Sequence, residues 1–344
     1  MENKVVDKSQ LGLLYDVHDK PGFFTSIILG FQNILTSFGG IVAVPLIIAG
    51  IAGCNVVETA FLISAGLLAS GITSIIQSAG IGPKKFRIGV GLPTVMGTDF
   101  GFVPPANIVI NTMGGGLPAY FGATVLGAIF EFILSFFVKP LMKIFTPTVT
   151  GTVISLMGMS MMPVAFDWVA GGVGNPNYGD VKYLLVAVIV FVLVLLLNLY
   201  GKGMISTAAV LIGIVIGYII CIPMGLVDFS QVAEADWIQL PKILPFGINF
   251  ELKYVVPFLA GYLVTIIETV GVMETLGQVT GTSMTDEDMV AGVRADAVGS
   301  FLSPFIGSGP VQSFSQNVGL IPLTKCASKH IGIVTGLLLI FMSL

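Results

Sequence analysis

The sequence predicts an all-α polytopic membrane protein whose site is built on an inverted repeat with two short broken spans. Three observations carry this. Of 344 residues, 55% are hydrophobic and only 10% charged, whereas a water-soluble domain carries about a quarter charged residues. Apolar runs of about 20 residues, the length of a membrane-crossing helix, recur along the whole chain. Two shorter apolar segments are interrupted by Gly and Pro at matching spacing. The net charge of -4 is too weak to point to a nucleic acid or another polyanion.

The N-terminal stretch 1–21 is too polar and acidic for a signal peptide and lacks a small-residue cleavage pattern, so the chain is expected to insert through its own spans. Apolar runs bounded by charge or turn residues place long spans at 22–50, 56–80, 117–138, 144–166, 182–199, 203–224, 253–276, 287–306 and 326–344. The broken segments are 88–105 and 308–322. Backbone groups in hydrocarbon must bond internally, so the long runs are helices and irregular backbone is confined to protein-lined interruptions.

Charge supports counting both broken segments. With the N-terminus inside and sides alternating, Lys4, Lys8, Lys20, Lys84, Lys85, Arg87, Lys139, Lys143, Lys202, Arg294, Lys325 and Lys329 fall on the cytoplasmic side. Only Lys182, Lys242 and Lys253 remain outside. That asymmetry follows the positive-inside rule, and omitting either segment would invert every later span. The external stretches hold Asp167, Asp180, Asp228, Glu234, Asp236 and Glu251, read as solvated loop charges.

The broken segments read GLPTVMGTDFGFVPP (91–105) and GPVQSFSQNVGLIPL (309–323). Aligning Pro93 on Pro310 sets Asp99 opposite Gln316, and each segment meets Pro again near its end. Interrupted spans at corresponding places in two halves mark a transporter-type site; the plainer reading is two kinked helices. Glu268 sits in the middle of a span, where an acidic group costs about 2.5 to 3.5 kcal/mol. Helical spacing puts Gly261, Thr265, Glu268, Gly271 and Thr275 on one face. The next span repeats the pattern with Gly292, Asp296, Gly299, Ser303 and Gly307, and the first offers Asn33, Ser37 and Gly40. Three polar stripes can enclose one cavity. Asp99 reads either as a site residue or as a cap for backbone N–H groups opened by the break. Glu131 and Glu274 lie nearer span ends, where snorkelling or capping is the plainer role, and Glu58 reads as a helix N-terminal charge.

Catalytic and cofactor chemistry finds little support. Cys54, Cys221 and Cys326 form no C-x-x-C pair, and His18 and His330 lie outside the middle of any span. H-E-x-x-H, Walker and G-x-G-x-x-G patterns are absent from the sequence. No cofactor or metal is expected, and an intramembrane enzyme lacks its nucleophile-base pair or ligand cluster.

Residues 316–325, QNVGLIPLTK, resemble the signature [QEP]-N-x-G-x-x-x-x-T-[RKG] of the nucleobase-ascorbate transporter family at every fixed position. The resemblance extends to FQNILTSFGGIVAVPLIIAG in the first span, to GTDFGF, to IETVG around Glu268 and to ADAVGS around Asp296, and so covers nearly the whole chain. It implies seven plus seven spans, a core domain moving against a gate domain, and transport of a nucleobase by a homodimer in the plasma membrane. On this pattern 22–138 is the first part of the core, 139–252 the first part of the gate with its external loop, and 253–344 the second part of the core. Three further gate spans are expected beyond Leu344. Glu268 would accept N–H bonds from the planar heterocycle and Gln316 would add a second side-chain contact. Phe100 would stack on the ring, while backbone N–H groups near Phe100 and Ser315 meet its carbonyl oxygens. Asp296 and Asn317 would hold the core in register. Asn33 stands where purine-transporting members carry a histidine. Gln at position 316 goes with xanthine and uric acid, whereas Glu goes with uracil; a uracil permease is therefore the alternative. An anion exchanger of the same fold would not be expected to face its substrate with a carboxylate. Proton symport follows from a buried carboxylate, Glu268 or Asp296, that takes a proton outside and releases it inside.

Overall fold

The computed structural model describes residues 12–83, 86–138, 140–141, 147–172, 175–227 and 241–344. Lys4, Lys8, Lys84, Lys85, Lys139, Lys143, Asp228, Glu234 and Asp236 of the charge pattern lie outside the described residues, as does the first half of the N-terminal segment.

Eleven labelled helices follow in order: α1 (Phe23–Ala52), α2 (Val56–Ala79), α3 (Val103–Asn107), α4 (Gly116–Ser135), α5 (Pro147–Val169), α6 (Val181–Tyr200), α7 (Ala209–Cys221), α8 (Leu252–Thr280), α9 (Asp286–Leu302), α10 (Leu320–Thr324) and α11 (Lys329–Met342). Among the described residues six stretches are long and apolar enough to cross a membrane: α1, α2, α4, α6, α8, and α9 with the 3-10 turn that extends it to Ile306. The expected span 203–224 is divided, with one turn at Met204–Thr207 before α7.

Two helix hairpins are punctuated alike. α1 ends at Gly53 (φ 67°) and α8 at Gly281 (φ 64°), left-handed positions that glycine adopts without a Cβ penalty. α2 then opens with a capping box, Asn55 accepting from the Glu58 N–H while Glu58 accepts from the Asn55 N–H. α9 opens with the same device on Thr285 and Asp288. Each box satisfies two N–H groups that a helix start leaves open.

The broken segments meet in the middle as a two-stranded antiparallel sheet, β1 (Met96–Thr98) and β2 (Val311–Ser313), with Gly97 opposite Gln312. This pairing is the finding that hydropathy does not foretell. The strands supply each other with hydrogen bonds that helices would make within themselves, which is how extended backbone survives at membrane depth. The contact extends on both sides through Phe314 N–H to the Val95 carbonyl (2.9 Å) and Asp99 N–H to the Pro310 carbonyl (3.0 Å). A Cβ on Gly97 would lie 2.1 Å from the Phe314 ring, so only glycine fits there.

The first broken segment also runs further than expected. A 3-10 turn at Phe100–Phe102 leads into α3 and then a π turn at Ile108–Thr112. Pro104 and Pro105 stand at the start of this half-helix, where a missing N–H costs nothing, and not at its end.

The helices flanking the sheet stitch it in place. On α2, Ser74 accepts from Met96 N–H (2.8 Å), Ser78 exchanges bonds with both backbone groups of Thr94, and Gln77 accepts from Val90 N–H (2.9 Å). On α9, Ser300 accepts from Val311 N–H and donates to its carbonyl, both at 3.1 Å, and Ser303 donates to the Gly309 carbonyl (2.6 Å). The apolar core lies to one side, where α3, α4 and α8 pack Phe102, Tyr120, Phe121, Phe258 and Tyr262 together. α6, by contrast, buries none of its residues.

At one end of the bundle, the N-terminal residues run beside the turn before α11. Leu14 N–H donates to the Lys325 carbonyl, Ala327 N–H to that of Tyr15, and Lys329 N–H to that of Val17. Arg87, ion-paired with Asp288, and Lys329 face a common cleft there with His18. Arg294, counted among the cytoplasmic cations, is instead buried on α9 with its guanidinium 4.5 Å from the centre of the Phe136 ring. Its stem and planar head pack on apolar surface, so a charge inside a span need not mark a loop.

Candidate ligand cleft between the broken spans

A cleft of about 590 Å³ opens where β2 and the start of the first half-helix face α8. It falls within the size range of small-molecule sites, about 300–1,000 Å³. Phe100, Glu268, Gly271, Thr275, Gln312, Phe314, Ser315 and Gln316 are among its lining residues. Four of the five expected ligand residues are therefore brought together from three separate elements.

Glu268 is half-buried and faces the same cleft as Gln312. Gln312 is the middle residue of β2, and strand alternation turns it away from its buried neighbours Val311 and Ser313. Its side-chain oxygen is buried and carries no partner. Sequence reasoning missed Gln312, since nothing but the unforeseen strand would have turned it toward α8. Gly40 of α1 forms the back of the site: a Cβ there would lie 3.0 Å from the Phe314 ring and 3.4 Å from Gln316 Nε2.

The predicted polar face of α8 divides along its length. Glu268, Gly271 and Thr275 line the cleft, while Gly261 lets the Phe102 ring approach and Thr265 donates to Asp99 (2.6 Å). Asp99, 1% exposed, also accepts from Gly101 N–H (2.7 Å). It thus caps the half-helix and ties it to α8, the second of its two expected readings, and does not line the cleft. Its aligned counterpart Gln316 is exposed in the cleft, so the two positions do different work.

Asp296, fully buried, gathers Gln77 (3.2 Å), the Ser313 hydroxyl (3.0 Å), the Ser313 N–H (3.4 Å) and the Thr269 hydroxyl. One carboxylate therefore fixes α2, α8 and β2 relative to each other. Asn317 donates to the backbone and side-chain oxygens of Asn33, at 2.9 and 3.0 Å, joining the second broken segment to α1. Asn33, expected at the ligand, sits beside a separate small cavity with Asn317. Its side chain also donates to the Leu29 carbonyl one turn back. Asn33 shares a face of α1 with Gly40 but lies two turns, about 10 Å, further along the axis, which places it at the neighbouring cavity and not in the cleft.

The α2 residues Gln77, Ser74 and Ser78 were also missed. Their signal was present, since Ser70, Ser74 and Ser78 recur every four residues in an apolar span. Glu58 is the cap residue it was expected to be. Glu131 differs: it neither snorkels nor caps, is 0% exposed, and among the described residues has no hydrogen-bond partner on either carboxyl oxygen. Among the described residues no group of three or more His, Cys, Asp or Glu could hold a metal.

Membrane-length helices, two broken spans stitched at the bundle centre and a polar cleft opening on them define a membrane transporter of the inverted-repeat kind. The chain belongs to the Permease family, whose model matches residues 24–344. A chain of Clostridium perfringens named as a purine permease is 48% identical over 342 residues, 99% of this chain and 74% of that one. The uric acid transporter UacT of Escherichia coli is 36% identical over 319 residues, 92% of this chain and 66% of its own length. Among solved structures, the transmembrane domain of a cyanobacterial bicarbonate transporter superposes with a TM-score of 0.64, covering 95% of this chain and 84% of that one. At 13% identity, that likeness speaks to the fold alone. These relatives are permeases, so the protein moves a solute across a membrane and is not an enzyme.

Proposed function

We propose that the protein imports an oxidised purine, xanthine or uric acid, together with protons across the plasma membrane, with its N-terminus in the cytoplasm and as a homodimer. The observation that carries the ligand reading is the convergence of Glu268, Gln316 and Phe100 on one cleft. A purine-dione or -trione edge alternates N–H donors with carbonyl acceptors. A carboxylate accepts from the donors, and the Gln316 amide can donate to a carbonyl and accept from an N–H. Phe100 offers a flat apolar face to the ring. Asp296, Asp99 and Asn317 keep the two broken segments in place around the ligand. On this reading the elements that hold the cleft form a core, and α5 to α7 contribute to a gate. The name of the Escherichia coli relative favours uric acid over uracil, as does Gln316.

Labelled urate uptake by the full-length protein in proteoliposomes, with an inward proton gradient and with unlabelled xanthine, urate or uracil as competitors, tests this reading. Competition by urate or xanthine at concentrations where uracil has no effect is the expected result. Uptake of labelled uracil with none of labelled urate or xanthine would replace it with the uracil permease.

A further inference from the structure

Glu131 is a membrane-buried acid that the ligand reading leaves without a task. It lies on α4, which packs against α8 and α9. One turn before it, Gly127 lets the Tyr262 ring of α8 press on the α4 backbone, where a Cβ would stand 2.2 Å from that ring. One turn after it, Leu134 and Val138 pack with Ile266 and Val270 of α8 and Val293 of α9. The Tyr262 hydroxyl is committed to the Thr124 carbonyl (2.8 Å). Asp99 and Asp296 lie within electrostatic reach, and on α9 Arg294 stacks on Phe136.

The three buried acids are treated differently by their surroundings. Among the described residues Asp99 holds two donors and Asp296 four, whereas neither oxygen of Glu131 has one. Three adjacent negative charges in a low-dielectric interior repel one another, and a buried carboxylate without donors is costly by several kcal/mol. The charge belongs where the donors are, so Glu131 carries a proton in this conformation. A metal ion would require several oxygen ligands, which the residues packed around Glu131 do not offer. A proton needs no cavity.

We propose that Glu131 is the carrier of the co-transported proton, at a site separate from the ligand carboxylate Glu268 and joined to it through α8. This rests on the proton-symport part of the proposed function and moves the coupling away from Glu268 and Asp296. An O–H bond forms on a Glu131 oxygen from water-borne H+ in the outward-open state. The same bond breaks, returning H+ to water, in the inward-open state. α8 is the coupling element because it presents Glu268 to the ligand, Thr265 to Asp99 and Thr269 to Asp296 while closing over Glu131.

The test compares wild type, Glu131→Gln and Glu131→Asp of the full-length protein in proteoliposomes. Two assays are read: uphill accumulation of labelled urate driven by an inward proton gradient, and urate counterflow with no gradient, which needs no net proton movement. Glu131→Gln keeps the shape and removes the titration. Its accumulation is expected to fall about tenfold or more with counterflow within about twofold of wild type, and Glu131→Asp to restore gradient-driven uptake. Wild-type accumulation by Glu131→Gln overturns the inference and leaves symport standing. If Glu131→Gln loses both activities, recovery of gradient-driven uptake in Glu131→Asp supports the inference and its failure overturns it. A wild-type protein that exchanges urate but ignores the gradient overturns symport and this inference together, while the ligand reading survives. Absence of urate or xanthine counterflow in wild type overturns the ligand reading, and the inference with it.

Discussion

The two halves of the molecule solve one structural problem with different chemistry. In each, a hairpin of long helices, closed by a left-handed glycine and a capping box, braces an extended segment within the bundle. The first half does so with neutral groups: Ser74, Ser78 and Gln77 on α2, and the Gly40 and Ile41 carbonyls on α1, which accept from the Thr98 hydroxyl. The second half adds charge at corresponding depth, with Asp296 on α9 and Glu268 on α8. Neutral hydrogen bonds suffice to hold backbone in place. A carboxylate adds an acceptor of several bonds at once and a handle for ligand or proton, at a cost that only a full set of donors offsets. The difference teaches that the hairpin α1–α2 serves mainly as frame and the hairpin α8–α9 as frame and site, while the acids and the cleft residue of the first half, Asp99, Phe100 and Glu131, lie outside its hairpin.

The largest effect expected from this contrast is functional. Glu268→Gln should lower urate uptake by about two orders of magnitude or more, since the cleft loses the one charged acceptor that faces it, while the amount of protein in the membrane stays level. Near-normal uptake by that variant would place the site elsewhere. Asp296→Ala comes next. It strands Gln77, Thr269 and Ser313, and should destabilise the fold by about 3–5 kcal/mol, read as lost folded protein after detergent and heat challenge. Asp296→Asn should recover part of that. A third variant probes the seam between the halves: Gly97→Ala drives a methyl into the Phe314 ring and should cost about 1–3 kcal/mol, with urate affinity falling in step because Phe314 lines the cleft. Smallest is Ser74→Ala in the neutral half, which leaves the Met96 N–H unpaired at about 1 kcal/mol or somewhat more. Should Ser74→Ala prove as damaging as Asp296→Ala, the contrast between the halves would fail.

How much of this was legible beforehand differs by element. Long apolar runs announced the helices to within a few residues, because the bilayer sets their length. Glu268 was legible because a mid-span acid is rare, and Gln316 because a ten-residue pattern surrounds it. Gln312 and the α2 serines were not, since their partners are backbone groups of strands that hydropathy alone does not separate from broken helix. Asn33 was placed at the ligand by its face of the first span, but it stands two turns from Gly40 along that face, and a stripe fixes a side of the helix without fixing the depth. Glu131 was read by distance from the span end, yet the tilt and packing of α4 determine what surrounds it.

The β1–β2 pairing also bears on how the chain is made. More than 200 residues separate the two strands, so the ribosome has delivered α3 to α9 before β1 can meet its mate. Through that interval the early strand can lean only on the serines and glutamine of α2, which leave the translocon just ahead of it. Those side chains act as a temporary splint, and their loss should register more strongly in the yield of newly made protein than in the endurance of finished molecules.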